Sequence, residues 1–141
     1  MKKPVMLRIQ GRQYYGEQEP EVIELMTEGT LEFVNGGWDI CYEESELTGL
    51  AGTTTTFRLE PGKVHLIRTG ALRSEMVFQE GVRHQSLYRM DFGALLLTVC
   101  ARQIMASISD EGGIIDLIYD VEIEHAQAGV VEYHLEIQPQ K

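Results

Sequence analysis

The sequence predicts an all-β protein, an up-and-down antiparallel β-barrel of about eight to ten strands with little helix. Three observations predict it: hydrophobic residues alternate with polar ones along most of the chain, glycine clusters separate the alternating runs, and helical periodicity is nearly absent. Successive side chains of a strand point to opposite faces, so alternation indicates one buried and one wetted face. The clearest run is Ile115–Ile123, where odd positions are apolar and the intervening residues include Asp116, Asp120 and Glu122.

Ten segments have the composition and alternation of strands, and turn residues separate them. Glu60-Pro61-Gly62-Lys63 fits a type II turn, because proline presets φ at the second position and glycine accepts positive φ at the third. The best helix candidate is Glu44–Leu50, a turn or two at most. The predicted strands are 4–10, 20–34, 38–44, 53–60, 63–69, 74–80, 82–89, 94–108, 114–125 and 130–138.

Short connections predict that sequential strands are antiparallel neighbours. About ten such strands curl and close, because closure removes exposed edges. A barrel of calycin or lipocalin type is therefore the first expectation, and an open two-sheet sandwich is the alternative. The length of 141 residues suits one domain over residues 1–141.

Composition argues against several partner classes. The formal net charge of −10 disfavours nucleic acid and anionic membranes, and the sequence shows no basic stripe. Cys41 and Cys100 form no CxxC pair, so two reduced thiols are expected, with a disulfide left open. The N-terminal residues lack the apolar core of a signal peptide and no apolar run has transmembrane length, so a cytoplasmic location is expected.

Several polar residues share the inward positions of the predicted strands. Arg68 lies on the same face of its strand as Val64 and Leu66, and Tyr42 lies on the same face as Trp38 and Ile40. Tyr88 joins this set in one of the two registers that the turn at Glu80-Gly81 permits. The candidate ligand-binding residues are Tyr42, Glu44, Thr53, Thr55, Arg68, Tyr88 and Tyr119.

An inward arginine is costly unless it is paired. In a structural interpretation, Glu44, tyrosine hydroxyls and carbonyl groups satisfy Arg68 inside a filled barrel. In a functional interpretation, Arg68, Tyr42, Tyr88 and the threonines form the polar end of a ligand pocket. A third interpretation places Arg68 on the outer face.

No pattern marks catalytic residues, a metal site or a cofactor. Gly-x-Ser-x-Gly, HExxH, GxGxxG and phosphate-loop motifs do not occur. His125 and His134 lie close in sequence, but opposite parity predicts that they point to opposite faces, which argues against a shared metal. We therefore predict no catalytic residue, no metal and no cofactor.

The central block resembles the YwiB-like family of small bacterial proteins of unknown function, which have a calycin-like barrel. The residues that carry the resemblance are TTTTFRLE at 53–60, VHLIRTG at 64–70, EMVF at 75–78, SLYR at 86–89 and DFG at 91–93. The resemblance spans roughly residues 5–137 and implies a lipocalin-like barrel in a cytoplasmic bacterial protein. It implies no established activity.

The leading functional hypothesis is a non-enzymatic barrel that binds a small anionic or amphipathic ligand, with Arg68 holding the anion and Tyr42 and Tyr88 donating hydrogen bonds. The alternative is a protein-interaction module with a filled core and no ligand. An enzyme ranks third. We expect no nucleic-acid or membrane partner, and an exposed edge strand would allow a homodimer.

Overall fold

The computed structural model describes residues 2–14, 19–45, 51–90 and 93–140, and within these ranges it contains ten β-strands and no helix. None of the described residues forms a helix that is long and apolar enough to cross a membrane. The strands are β1 (Lys3–Tyr14), β2 (Glu21–Val34), β3 (Gly37–Glu43), β4 (Thr53–Glu60), β5 (Lys63–Gly70), β6 (Ser74–Phe78), β7 (Arg83–Met90), β8 (Gly93–Ser109), β9 (Gly112–Ile123) and β10 (Ala126–Pro139).

All ten strands belong to one antiparallel sheet in the order β6-β5-β4-β3-β2-β1-β10-β9-β8-β7. Strands that are consecutive in sequence pair with each other, except β6 and β7, which stand at the two ends of the sheet. In addition, β1 pairs with β10 from Val5↔Pro139 to Tyr14↔Val130. The up-and-down antiparallel barrel is therefore confirmed. A single continuous sheet excludes the two-sheet sandwich.

The barrel closes between its two outermost strands over a short distance. Just before β6, Arg73 pairs with Arg89 of β7, with backbone N···O distances of 3.1 and 2.8 Å. The N–H of Gly81 donates to the C=O of Ala101 in β8 at 3.0 Å. These contacts nearly close the barrel wall.

Two tight turns show why glycine punctuates the alternating runs. Gly62 has a φ of 77°, as the third position of a type II turn requires. Asn35 and Gly36 have φ values of 52° and 79°, the pair of positive angles found in type I′ hairpins. Both turns join antiparallel neighbours directly and set their register.

Several predicted bounds differ from the structure: β10 begins at Ala126 rather than at residue 130, β6 ends at Phe78 rather than at residue 80, and two further differences follow. β1 continues to Tyr14, beyond the predicted end at Gln10, because β10 and β2 hold it on both sides as far as Tyr14↔Val130 and Gln13↔Glu21. In the candidate helix Glu44–Leu50, residues 44 and 45 are not helical, and residues 46–50 lie outside the described residues.

Inward-facing side chains fill one half of the barrel and leave a cavity in the other. One end of the barrel is here named the upper end; it is the end at which the odd-numbered strands β1, β3, β5, β7 and β9 terminate. The lower half is packed with fully buried apolar side chains, as the alternation predicts. They include Leu7, Leu31, Ile40, Phe57, Phe78, Ile115, Leu117 and Leu135.

Candidate functional site

The upper half of the barrel encloses a cavity of about 470 Å³. Apolar side chains from strands around the barrel form most of its wall, among them Ile9, Leu25, Leu66, Leu97 and Val131. A cavity of this size and composition is within the range of small-molecule sites. One side of the cavity is polar. It is formed by Tyr42 of β3, Glu44 just after β3, Arg68 of β5 and Tyr133 of β10.

The centre of the polar side is the carboxylate of Glu44, whose side chain is 2% exposed. The backbone N–H of Glu44 donates to the C=O of Thr53 at 2.8 Å, which extends the β3–β4 pairing by one step and keeps Glu44 on the inward face with Tyr42. The hydroxyl of Thr55, a fully buried residue, donates to Oε2 of Glu44 at 2.5 Å. The sheet itself therefore positions this buried acid.

Two tyrosine hydroxyls continue the polar network. Those of Tyr42 and Tyr133 are 3.4 Å apart, and Tyr42 also forms a side-chain hydrogen bond with Glu44. Because a carboxylate accepts hydrogen bonds, Tyr42 donates to Glu44 and Tyr133 donates to Tyr42. Burial raises the pKa of Tyr42 to about 12 and raises that of Tyr133 well above its ordinary value. Both hydroxyls are therefore protonated donors at neutral pH.

Arg68 completes the polar side from β5, where it pairs with Thr55 of β4 and Ser74 of β6. Its Nε is 3.9 Å from Oε2 of Glu44, at the long limit of an ion pair, and its side chain is 15% exposed. Nε is buried and has no hydrogen-bond partner among the described residues. A guanidinium group carries five N–H donors, so this arrangement leaves donor capacity beside the cavity.

The structure brings most of the predicted site residues to the cavity. Tyr88 of β7 is half-buried and lies on the wall, in the register Tyr88↔Leu95. Thr53 and Thr55 are fully buried and are not wall residues; Thr55 supports Glu44, and the hydroxyl of Thr53 has no hydrogen-bond partner in the described part of the chain. The predicted residues on the wall are Tyr42, Glu44, Arg68, Tyr88 and Tyr119.

Tyr133 belongs to the site but was not among its predicted residues. It lies in β10, packs against Phe57 with ring centroids 5.3 Å apart, and has its hydroxyl beside Tyr42. The sequence places it on the inward row of the last hairpin with Val131 and Leu135. That inward parity was the signal that could have identified it.

Other titratable groups lie away from the cavity. His134 faces outward and forms hydrogen bonds with Asp116 and Glu136. Cys41 and Cys100 are half-buried free thiols. No group of three or more His, Cys, Asp or Glu side chains within the described ranges is placed to hold a metal ion.

The fold and the residue pattern agree with one known family. The family described as "Domain of unknown function (DUF1934)" matches residues 7–137, nearly the whole chain. The chain belongs to this family.

Two comparisons concern the same relative. The chain is 28% identical over 107 residues to the uncharacterized beta-barrel protein YwiB of Bacillus subtilis, covering 76% of this chain and 74% of that protein. The crystal structure of the Bacillus subtilis ywiB protein matches with a TM-score of 0.89 at 22% identity, covering 99% of this chain and 94% of that one. The structural likeness supports the fold, and the relative is itself described as uncharacterized.

Proposed function

We propose that this β-barrel protein of unknown function is a non-enzymatic binding protein that holds a small amphipathic anion in its upper cavity, in the manner of calycin-type barrels. The observation that carries the proposal is the position of Arg68 at the polar side of an otherwise apolar cavity of about 470 Å³. The apolar wall suits the body of such a ligand, and the guanidinium suits its charge.

The electrostatic balance at Arg68 supports an anion rather than a neutral ligand. Glu44 accepts hydrogen bonds from Thr55 and Tyr42, and its Oε2 remains 3.9 Å from Nε of Arg68. A charged group with little solvent and a long ion pair is incompletely compensated. A ligand carboxylate, sulfonate or phosphate would supply the missing acceptor oxygens.

Binding rather than catalysis is supported by the protonation of the tyrosines. Burial keeps the Tyr42 and Tyr133 hydroxyls neutral at neutral pH, with the pKa of Tyr42 at about 12. They serve as hydrogen-bond donors and are poor bases or nucleophiles under these conditions. A protein-interaction module with a filled core is the alternative, and the cavity favours the binder over it. A cytoplasmic location and the absence of nucleic-acid and membrane partners remain predictions.

A pair of fluorescent probes tests the proposal. 8-Anilinonaphthalene-1-sulfonate is a small amphipathic anion, and N-phenyl-1-naphthylamine is its neutral counterpart without the sulfonate. Both are titrated into the wild-type protein, Arg68→Ala and the control Arg12→Ala, which removes an exposed arginine. Circular dichroism checks that each variant is folded.

We expect Arg68→Ala to weaken binding of the sulfonate probe by about tenfold or more, the value of one or two charge-assisted hydrogen bonds. Binding of the neutral probe should change by less than about twofold, since the apolar wall is intact. Arg12→Ala should affect neither probe. Equal sulfonate affinity in wild type and a folded Arg68→Ala variant would refute the proposal. Native mass spectrometry of gently purified protein then measures the mass of any ligand retained from the cell.

A further inference from the structure

The lower part of β8 has a neighbour on one side only, within the part of the chain that the structure describes. β7 pairs with β8 from Met90↔Gly93 to Arg83↔Cys100 and goes no further. A bulge between Ala101 and Gln103 follows, and residues 103–109 pair with β9 alone. We call residues 103–109 the β8 edge.

One hydrogen bond shows which backbone groups this edge presents. The N–H of Ile104 donates to Oε2 of Glu80 at 2.9 Å, and Glu80 bridges to Ala101 on the side of β8 away from β9. Backbone groups alternate between the two sides of a strand. The N–H and C=O groups of Ala106 and Ile108 therefore also point away from β9, where no described strand accepts them.

Space and apolar surface surround the edge. A groove of about 810 Å³ lies beside it, with Trp38, Leu59 and Ile108 among its wall residues. On the outer surface next to the edge, Met105 is 53% exposed and Ile114 is 39% exposed. Exposed strand edges of this kind pair with other strands unless charged residues or proline block them.

The charges along β8 indicate what pairs with it. Residues 103–109 contain no ionisable side chain and no proline, in a chain with a net charge of −10. Arg102 precedes the edge and already donates two hydrogen bonds to Asp120 of β9, at 2.8 and 2.6 Å, and Asp110 and Glu111 follow the edge. Antiparallel pairing of the segment with itself places the uncharged residues of the two copies opposite each other and keeps the acidic residues that follow the edge at opposite ends of the junction.

We propose that the β8 edge is a dimerisation surface, on which two copies of this chain pair antiparallel about a two-fold axis at Ser107. In this register Ala106 of each copy lies opposite Ile108 of the other, and their four N–H and four C=O groups form four hydrogen bonds. The hydrogen bond between Ile104 and Glu80 lies outside this four-bond ladder. Met105 and Ile114 of both copies extend one apolar surface across the junction.

A cysteine crosslink tests the register. In a background with Cys41→Ala and Cys100→Ala, Ser107→Cys places two thiols at a non-hydrogen-bonded pair, where Cα atoms are about 4.5 Å apart and within disulfide range. The control Ser109→Cys lies four residues away from its counterpart along the strand, about 13 Å. We expect mild oxidation to give a disulfide-linked dimer with Ser107→Cys and none with Ser109→Cys.

Sedimentation velocity tests the dimer without crosslinking. We expect wild-type protein to have twice the chain mass, and Ser107→Lys to have the chain mass because two like charges then face each other at the axis. Gln138→Lys, which adds the same charge at an exposed residue of β10, should remain dimeric. A monomeric wild type throughout the micromolar range would overturn the proposal.

Two further outcomes would also overturn it. One is a dimer that Ser107→Lys leaves intact and that Ser107→Cys does not crosslink, which assigns the interface to another surface. The other is a complex of one copy of this chain with a different protein in which the amides of Ala106 and Ile108 exchange slowly. That result assigns the edge to a different partner.

Discussion

The buried hydrogen bond between Thr55 and Glu44 allows a sharp test of how much the polar side of the cavity contributes to stability. Thr55 is fully buried, the side chain of Glu44 is 2% exposed, and the hydroxyl lies 2.5 Å from Oε2. Thr55→Val keeps the β-branched shape and removes the donor. A hydrogen bond to a charged group contributes about 1.5–3 kcal/mol, so we expect the free energy of unfolding to fall by about 2–3 kcal/mol.

The neighbouring residue provides a matched control. Thr54 donates to Oε1 of Glu43 at 2.9 Å with the same chemistry, but on the exposed face of the same pair of strands. Thr54→Val should cost less than about 1 kcal/mol, because water replaces the lost bond.

Urea denaturation measures both variants, and an unchanged m-value confirms that the comparison is valid. Repeating Thr55→Val in a Glu44→Gln background tests the role of charge: the cost there should fall to about 1 kcal/mol, the value of a neutral bond. Costs for Thr55→Val and Thr54→Val that agree within about 0.5 kcal/mol would refute the reasoning from burial.

Three more predictions follow from burial and from the pKa shifts. Phe57→Ala, at a fully buried residue, should lower the free energy of unfolding by about 3–5 kcal/mol in urea denaturation, and Phe33→Ala, at a residue 55% exposed, by less than about 1 kcal/mol. Because the pKa of Tyr42 is raised, its contribution to stability is complete below pH 10 and declines as pH rises toward about 12. The free energy of unfolding, measured between about pH 9 and 12, should therefore fall less steeply with pH for Tyr42→Phe than for wild type. His134 donates a hydrogen bond to Asp116, which raises the pKa of His134, so an NMR titration should show this pKa above the ordinary 6.5, and Asp116→Asn should lower it. This pair stabilises the fold at acidic pH, and the effect is lost as pH rises through the raised pKa of His134. An unchanged His134 titration in Asp116→Asn would contradict this assignment.

Local alternation was enough to predict the barrel and much of the cavity wall. Tyr42, Glu44 and Arg68 could be placed on the inward face because period two fixes the side of each residue once one buried neighbour is known. Arg68 and Glu44 also meet through strands that are close in sequence, β3 to β5. Parity and short connections therefore predicted the grouping of these residues.

Tyr133 could not be assigned to the site in the same way. It meets Tyr42 across a separation of 91 residues, and their strands, β10 and β3, are not neighbours in the sheet. Their contact depends on the curvature and diameter of the barrel, which no local pattern encodes. Inward parity was visible, but the partner across the cavity was not.

The β8 edge was also hidden in the predicted strand 94–108. Inward parity changes from odd at Val99 and Ala101 to even at Ile104 and Ile108, which is the mark of the bulge. Ala101, Gln103 and Ala106 are weak indicators of burial, so the change of parity is not marked in the sequence. The pairing of β7 with β8 stops at Arg83↔Cys100, where β7 begins. The position of this boundary depends on closure of the whole barrel, and a local pattern does not determine it.

The pairing of β1 with β10 has a consequence for folding. This ladder runs from Val5↔Pro139 to Tyr14↔Val130, so it joins the two ends of the chain. The other ladders among the described strands connect strands that are consecutive in sequence. Folding must therefore close the largest loop of the chain to form this ladder. A circular permutant with linked ends and a new opening at the Pro61-Gly62 turn would make β10–β1 a hairpin as well. Such a chain would keep the barrel but move its long-range ladder from β1–β10 to β4–β5, whose strands would then hold the two chain ends.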